Sequence, residues 1–202
     1  MKIPIKINSV LILSLCMAGP LLLGTSCSEN KATDSMEAAE EENISRITSN
    51  DTTMVVIEND NDGKFLMDAA EMQLEEISLG KLAQEKGNSP HIKEMGKMME
   101  EDHAKAFTEL KALAQAKSVS IPTSITEDSK DIQESLMEET GNDFDKAYSD
   151  LMVEKHEDAV AKFEKVSTDS EDNEIRTWAT GKLPGLKAHL KHAEDAKEKI
   201  DN

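Results

Sequence analysis

Four residues of this 202-residue chain have the types and spacing to do chemistry: Glu76, His103, His156 and His189. Each continues an apolar seam of helical period, one residue to a seam. Glu76 lies between Met72 and Leu79, and His103 between Met99 and Ala106. His156 lies between Met152 and Ala159, and His189 between Leu186 and Ala193. Ionisable side chains on the inward face of a helix are costly unless paired or bound to something. Carboxylates and imidazoles projecting inward from facing helices are also how helical bundles build metal sites. The quartet therefore points to a metal ion held by mixed Glu/His ligands, a set that suits Fe, Zn, Cu or Mn. The competing reading is a satisfied core, with Glu76 paired to a histidine and Asp102 or Glu157 capping imidazoles from the flank. A histidine paired with Glu76 would titrate above its ordinary value of about 6.5, whereas a metal ligand holds best when neutral.

Other chemistry is weakly signalled. Glu100 precedes His103 by three residues, the pair used in di-iron bundles. The third helix has Val153 at that offset from His156 and the fourth has Leu186 before His189, so a di-iron centre is not expected. His189 and His192 could pin a metal at the bundle end, but a solvated face accounts for His192, as an exposed first turn does for His91. Tyr148 and Trp178 read as core, and the Met residues as packing. The sequence has no Gly-rich phosphate loop, no nucleophile elbow and no zinc-protease motif. Nothing supplies a nucleophile, a cofactor loop or an open carboxylate pair, which leaves redox catalysis at a bound metal as the one enzymatic reading.

The elements that must carry the quartet are long helices. Phe65, Ala69, Met72, Glu76, Leu79 and Ala83 alternate steps of four and three, and the seam stops at Gly87-Asn88. Ser89-Pro90 opens a second helix on Ile92, Gly96, Met99, His103, Leu110 and Leu113. The segment through Pro122 cannot remain helical, and residues 127–139 form a short helix on Ile132, Leu136 and Met137. Phe144, Tyr148, Met152, His156, Ala159 and Phe163 define the third long helix. Ile175, Ala179, Lys182, Leu186, His189, Ala193 and Ala196 define the fourth, with Lys182 snorkelling and Pro184 kinking or breaking it. At 1.5 Å per residue from the intervening turns, Glu76 and His103 differ in height by about 4.5 Å, and His156 and His189 by about 7.5 Å. This predicts an all-α, up-down four-helix bundle over 63–202 with a short extra helix in the 2–3 connection. That single long connection leaves a ferritin-like topology open.

The start of the chain is an address. A basic beginning and the apolar run VLILSLCMAGPLLL read as a signal peptide over 1–26, too short to span a bilayer comfortably. It ends at Leu23-Gly24-Thr25-Ser26-Cys27, which resembles a lipobox and makes Cys27 the candidate lipidation site, although Leu stands one place earlier than usual. Residues 27–62 are acidic and polar and are expected to form a disordered tether carrying the acylated Cys27. The 41 acidic against 23 basic residues give a formal charge of −18, which excludes a nucleic-acid binder. Acidic protein repels anionic headgroups, so attachment to a membrane must come from acyl chains.

Three stretches resemble a known family. FLMDAAEMQLEEISLGKLAQEKGNSPHIKEMGKMMEEDHAKAFTELKALA, FDKAYSDLMVEKHEDAVAKFEK and LPGLKAHLKHAEDA are similar to the bacterial domain-of-unknown-function 4142 family, over about residues 64–197. The landmarks fall on Glu76, Asp102-His103, His156-Glu157, Leu183-Pro184 and His189-Leu190. The resemblance implies a ferritin-like helical domain of an exported envelope protein and no particular activity. The expectation is a lipid-anchored envelope bundle binding a metal through Glu76, His103, His156 and His189 for metal handling or stress protection. The alternative is a structural or partner-binding envelope module without metal; protein partner and oligomeric state are left open.

Overall fold

The computed structural model describes residues 34–48 and 60–201. Among the described residues every regular element is a helix: α1 Ser35–Thr48, α2 Asp60–Lys86, α3 Pro90–Ala116, α4 Glu127–Glu138, α5 Gly141–Asp169 and α6 Asn173–Asp201. The expected signal peptide over 1–26 and Cys27 lie outside the described residues.

The four seams become α2, α3, α5 and α6, and the short helix expected over 127–139 is α4. Ser89 caps α3: its hydroxyl accepts from the Ile92 N–H at 3.2 Å, and Pro90 takes the first turn, where no N–H is needed. The Asp145 carboxylate accepts the Asn88 and Ser89 N–H groups at 2.7 and 2.8 Å. The α2–α3 turn is thereby pinned to the start of α5.

Cross-helix pairs fix the directions. Gln73 meets His103 and Gln84 meets Glu100, so α2 and α3 are antiparallel. Glu75 and Asp68 pair with Lys155 and Lys162 on α5. Glu164 pairs with Lys187, and Asp150 with Lys197, so α5 and α6 are antiparallel. Asp102 meets His189, and Glu109 meets Lys182, across α3 and α6. Hence α5 runs in the same sense as α3, and the four helices do not alternate strictly up and down. The connector makes this possible. Lys117 at the end of α3 bonds Asp172 beside the α5–α6 turn. Thr126, just before α4, bonds Glu71, and Met137 near the far end of α4 meets Lys86. The short helix thus carries the chain back along α2 before α5 begins.

Two apolar clusters fill the interior. One gathers Leu79, Ile92, Met99, Phe144, Tyr148 and Met152; the other gathers Phe65, Leu66, Leu110, Phe163, Ile175 and Leu186. Along each long helix the quartet residue falls between members of the two clusters. The polar side chains form a layer between two greasy halves.

The expected strict up-down order is thus corrected, and three further expectations change. Residues 28–62 are not disordered throughout, because they contain α1 and the first residues of α2. Polar bonds to the backbone hold α1: Asn43 accepts from Ser120 N at 2.7 Å and donates to Ser120 O at 2.9 Å. Arg46 donates to Ser118 O at 2.9 Å, and Asp34 accepts from Glu127 N at 2.8 Å. Second, of the kink or break expected at Pro184, the break does not occur: α6 runs unbroken from Asn173 to Asp201. Proline leaves the carbonyl four residues earlier without its helical donor, and here both Thr180 and Pro184 face solvent. Third, the expected height mismatch of His156 and His189 is smaller in the structure, because α5 extends to Asp169 and α6 starts only at Asn173.

Candidate metal centre

His103 on α3, His156 on α5 and His189 on α6 converge. They are 2%, 1% and 5% exposed, and each offers a ligand atom within 4.8 Å of the other two. Their ring centroids form a near-equilateral triangle with sides of 5.1, 5.4 and 5.6 Å. Each ring has one nitrogen tied down. His103 Nδ1 lies 2.8 Å from Gln73 Oε1, His156 Nδ1 lies 2.9 Å from the Met152 carbonyl, and His189 Nε2 lies 3.0 Å from Asp102 Oδ2. All three partners are acceptors, so the tied nitrogen carries the proton. In a neutral ring the other nitrogen then bears a lone pair. Those other atoms, His103 Nε2, His156 Nε2 and His189 Nδ1, are buried without a hydrogen-bond partner.

Burial disfavours the cationic form of two of the rings, His103 and His156. Burial pushes His103 well below its ordinary range, and the neighbouring His156 and His189 push the same way. His156 is pushed down to about 4, chiefly by burial and then by His189, with the Met152 carbonyl opposing. Imidazoles must be neutral to bind a metal. A hydrogen-bond acceptor behind each ring is the arrangement that orients a ligating histidine and raises its basicity.

Glu76 is buried beside this set but stands apart from the converging nitrogens. Its Oε1 lies 3.9 Å from His156 Nδ1, the nitrogen tied to Met152, and its Oε2 has no partner. Burial, helped by the charge of Glu75 and opposed by Lys155, lifts its carboxyl to about 8. An ion pair between Glu76 and a raised histidine is therefore not what the structure holds; both partners shift toward neutrality. Asp102 caps an imidazole as expected, at His189, while Glu157 is exposed. Glu100 faces Gln84 at 2.6 Å rather than the triad. His192 is exposed, and His91 lies 3.5 Å from Lys199. Tyr148 is core, fully buried and stacked on Phe144. Gln73, 2% exposed, escaped the sequence reading. Its place three residues before Glu76, on the same helix face, was the available signal.

A family profile described as "Domain of unknown function (DUF4142)" matches residues 49–196, which include every quartet position. The chain belongs to this family. A solved structure described as "CopM in the Cu(II)-bound form" superposes on the DUF4142 chain with a TM-score of 0.58 at 17% identity, covering 68% of this chain and 96% of that one. That likeness is one of fold. No curated protein matches the DUF4142 chain.

Proposed function

We propose that this DUF4142 protein is a ferritin-like four-helix bundle, lipid-anchored in the cell envelope, that binds a copper ion for metal handling. His103, His156 and His189 are its ligands. The observation that carries the reading is the convergence of three buried histidines, each with one ring nitrogen tied to an acceptor and the other without a partner. A buried polar atom without a partner costs about 1–3 kcal/mol, and three such atoms on three converging rings are accounted for by a ligand that satisfies all of them. Metal–imidazole bonds of about 2.0–2.1 Å would draw the rings slightly closer than they stand in the free chain. An all-imidazole set suits copper and zinc, and copper binds a given nitrogen site more tightly than zinc. The copper-bound state of the structurally similar CopM supports the same choice. The up, down, down, up order of α2, α3, α5 and α6 supports the ferritin-like description. Glu76 is proposed as a neutral neighbour of the site.

The test is metal stoichiometry. The full chain dialysed against Cu(II), with Zn(II) as competitor, is expected to retain one copper per chain and to melt at a higher temperature than the metal-free chain. His103→Ala and His156→Ala should each abolish both effects while circular dichroism stays helical. Retention of copper by both variants, or a wild-type chain that emerges metal-free and melts unchanged, overturns the reading.

A further inference from the structure

Two glycines in the middle of α6 have no packing reason to be there. A Cβ built on Gly181 or Gly185 meets nothing within 4 Å. The contrast is with Gly80 and Gly96, where a Cβ would stand 2.6 Å from the carbonyl oxygen of the facing glycine. Glycine in a helix interior costs about 1 kcal/mol relative to alanine. The two lie on either side of Pro184, in a helix that already tolerates a proline. Local stability would favour alanine at both positions.

Both glycines line a cleft of about 160 Å³ whose other walls include Gln73, Asp102, His103 and His189. Three larger clefts among the described residues, of about 360, 330 and 430 Å³, touch none of the three histidines. The small cleft is thus bounded by two of the triad residues, both carrying buried nitrogens without partners. Asp102 adds a carboxylate that is 60% exposed and also holds His189, a group suited to meeting a cation arriving from solvent.

We propose that this cleft between α3 and α6 is the port through which the triad exchanges its metal ion with solvent, held open by the missing side chains of Gly181 and Gly185. The inference rests on the metal reading above. Both glycines are exposed at the cleft, so leucine there would crowd its mouth, whereas alanine would restore helix propensity and leave most of it free. Neither meets a neighbouring atom at Cβ, and both are better helix formers than glycine, so the variants should fold.

The experiment follows Cu(II) uptake by stopped flow and its removal by EDTA. The readout is quenching of the chain's single tryptophan, Trp178, whose ring lies 5.5 Å from Phe163, itself a wall of the cleft. The full chain is compared with Gly181→Leu, Gly185→Leu, the Leu double variant and the Ala double variant. A narrowed port slows uptake and release together, by about tenfold or more, and leaves the ratio of the two rates, and so Kd, within about threefold. The Ala double variant should stay within about threefold of wild type in both rates. Leucine variants that load and release at the wild-type rate overturn the port. An Ala double variant as slow as the leucine variants also overturns it, because the glycines would then serve helix flexing. A wild-type chain that fails to bind Cu(II) at all is a different outcome, one that removes the metal reading itself.

Discussion

Each histidine of the triad has a partner that fixes its proton, and the unused nitrogen of each points to the same reading. Glu76 supplies the sharper test, because its environment sets a pH profile of opposite sign to that of its neighbours. Its carboxyl is lifted from 4.5 to about 8. Between those values the folded chain keeps a proton that the unfolded chain has released, so stability falls as pH rises through that window. His156 is lowered from 6.5 to about 4, so between those values the unfolded chain holds the extra proton and stability rises with pH. His103 acts in the same direction as His156. Two imidazoles oppose one carboxyl up to about pH 6.5; above that, Glu76 acts alone. The metal-free chain is therefore expected to be most stable near that pH and to lose stability from there to about pH 8. Glu76→Gln should flatten this alkaline limb and steepen the acid limb, which Glu76 opposes. Urea midpoints across the pH range measure both, and a wild-type midpoint that holds steady on the alkaline side would sink the account. The identities of the four ionisable residues were legible in the sequence because polar groups at seam positions stand out against an apolar period. Their pairing was not legible: spacing assigns a residue to a helix face and says nothing of which way Glu76 turns around the His156 ring, and Gln73 is an ordinary residue for a half-exposed helix.

At the scale of elements, the contact between α2 and α3 is governed by Gly80 and Gly96. A Cβ on either would come within 2.6 Å of backbone on the other helix, a distance that no rotamer change relieves. The same two helices carry the Gln73–His103 bond, so separating them also loosens the support of one ligand. Gly96→Ala is expected to destabilise the chain by about 1–3 kcal/mol, the usual cost of overpacking, despite the gain in helix propensity. The alanine substitutions at Gly181 and Gly185 should raise stability, so the sign of the change separates crowding from propensity. Urea midpoints of the variants, compared at one pH, give the answer; a Gly96→Ala chain as stable as wild type would mean that α2 and α3 can part freely. Sequence pattern located α2, α3, α4, α5 and α6 because each buries an apolar stripe at steps of three and four. It passed over α1, whose anchors are Asn43, Arg46 and Asp34 bonding backbone groups, with Ala39 as a small buried contact. It predicted an up-down order, leaving a ferritin-like topology open, and α5 instead runs in the same sense as α3. The direction of α5 depends on α4 climbing beside α2, a tertiary choice that no local period encodes.

The molecule as a whole is an acidic body on an acidic lead-in. Its formal charge of −18 sets an electrostatic penalty on approach to an anionic bilayer, and no described helix is long and apolar enough to cross one. We propose that a membrane-held chain is held by acyl chains, since its net charge opposes an anionic surface. Cys27 is the residue that fits this proposal, because it follows an apolar run and small residues, and the chain's other cysteine, Cys16, lies inside that run. The two modes of attachment separate cleanly in a fractionation experiment. A lipid-held wild-type chain should stay with membranes through a high-salt wash, which screens charge contacts but leaves acyl burial intact, and should leave them with detergent. Cys27→Ser removes the acceptor thiol while preserving the size of the residue, so that variant should either remain as an unprocessed precursor or appear in the soluble fraction. Release of the wild-type chain by salt alone would assign its attachment to surface charge, and a Cys27→Ser chain that is processed yet still membrane-bound through the same wash would require an anchor other than this residue.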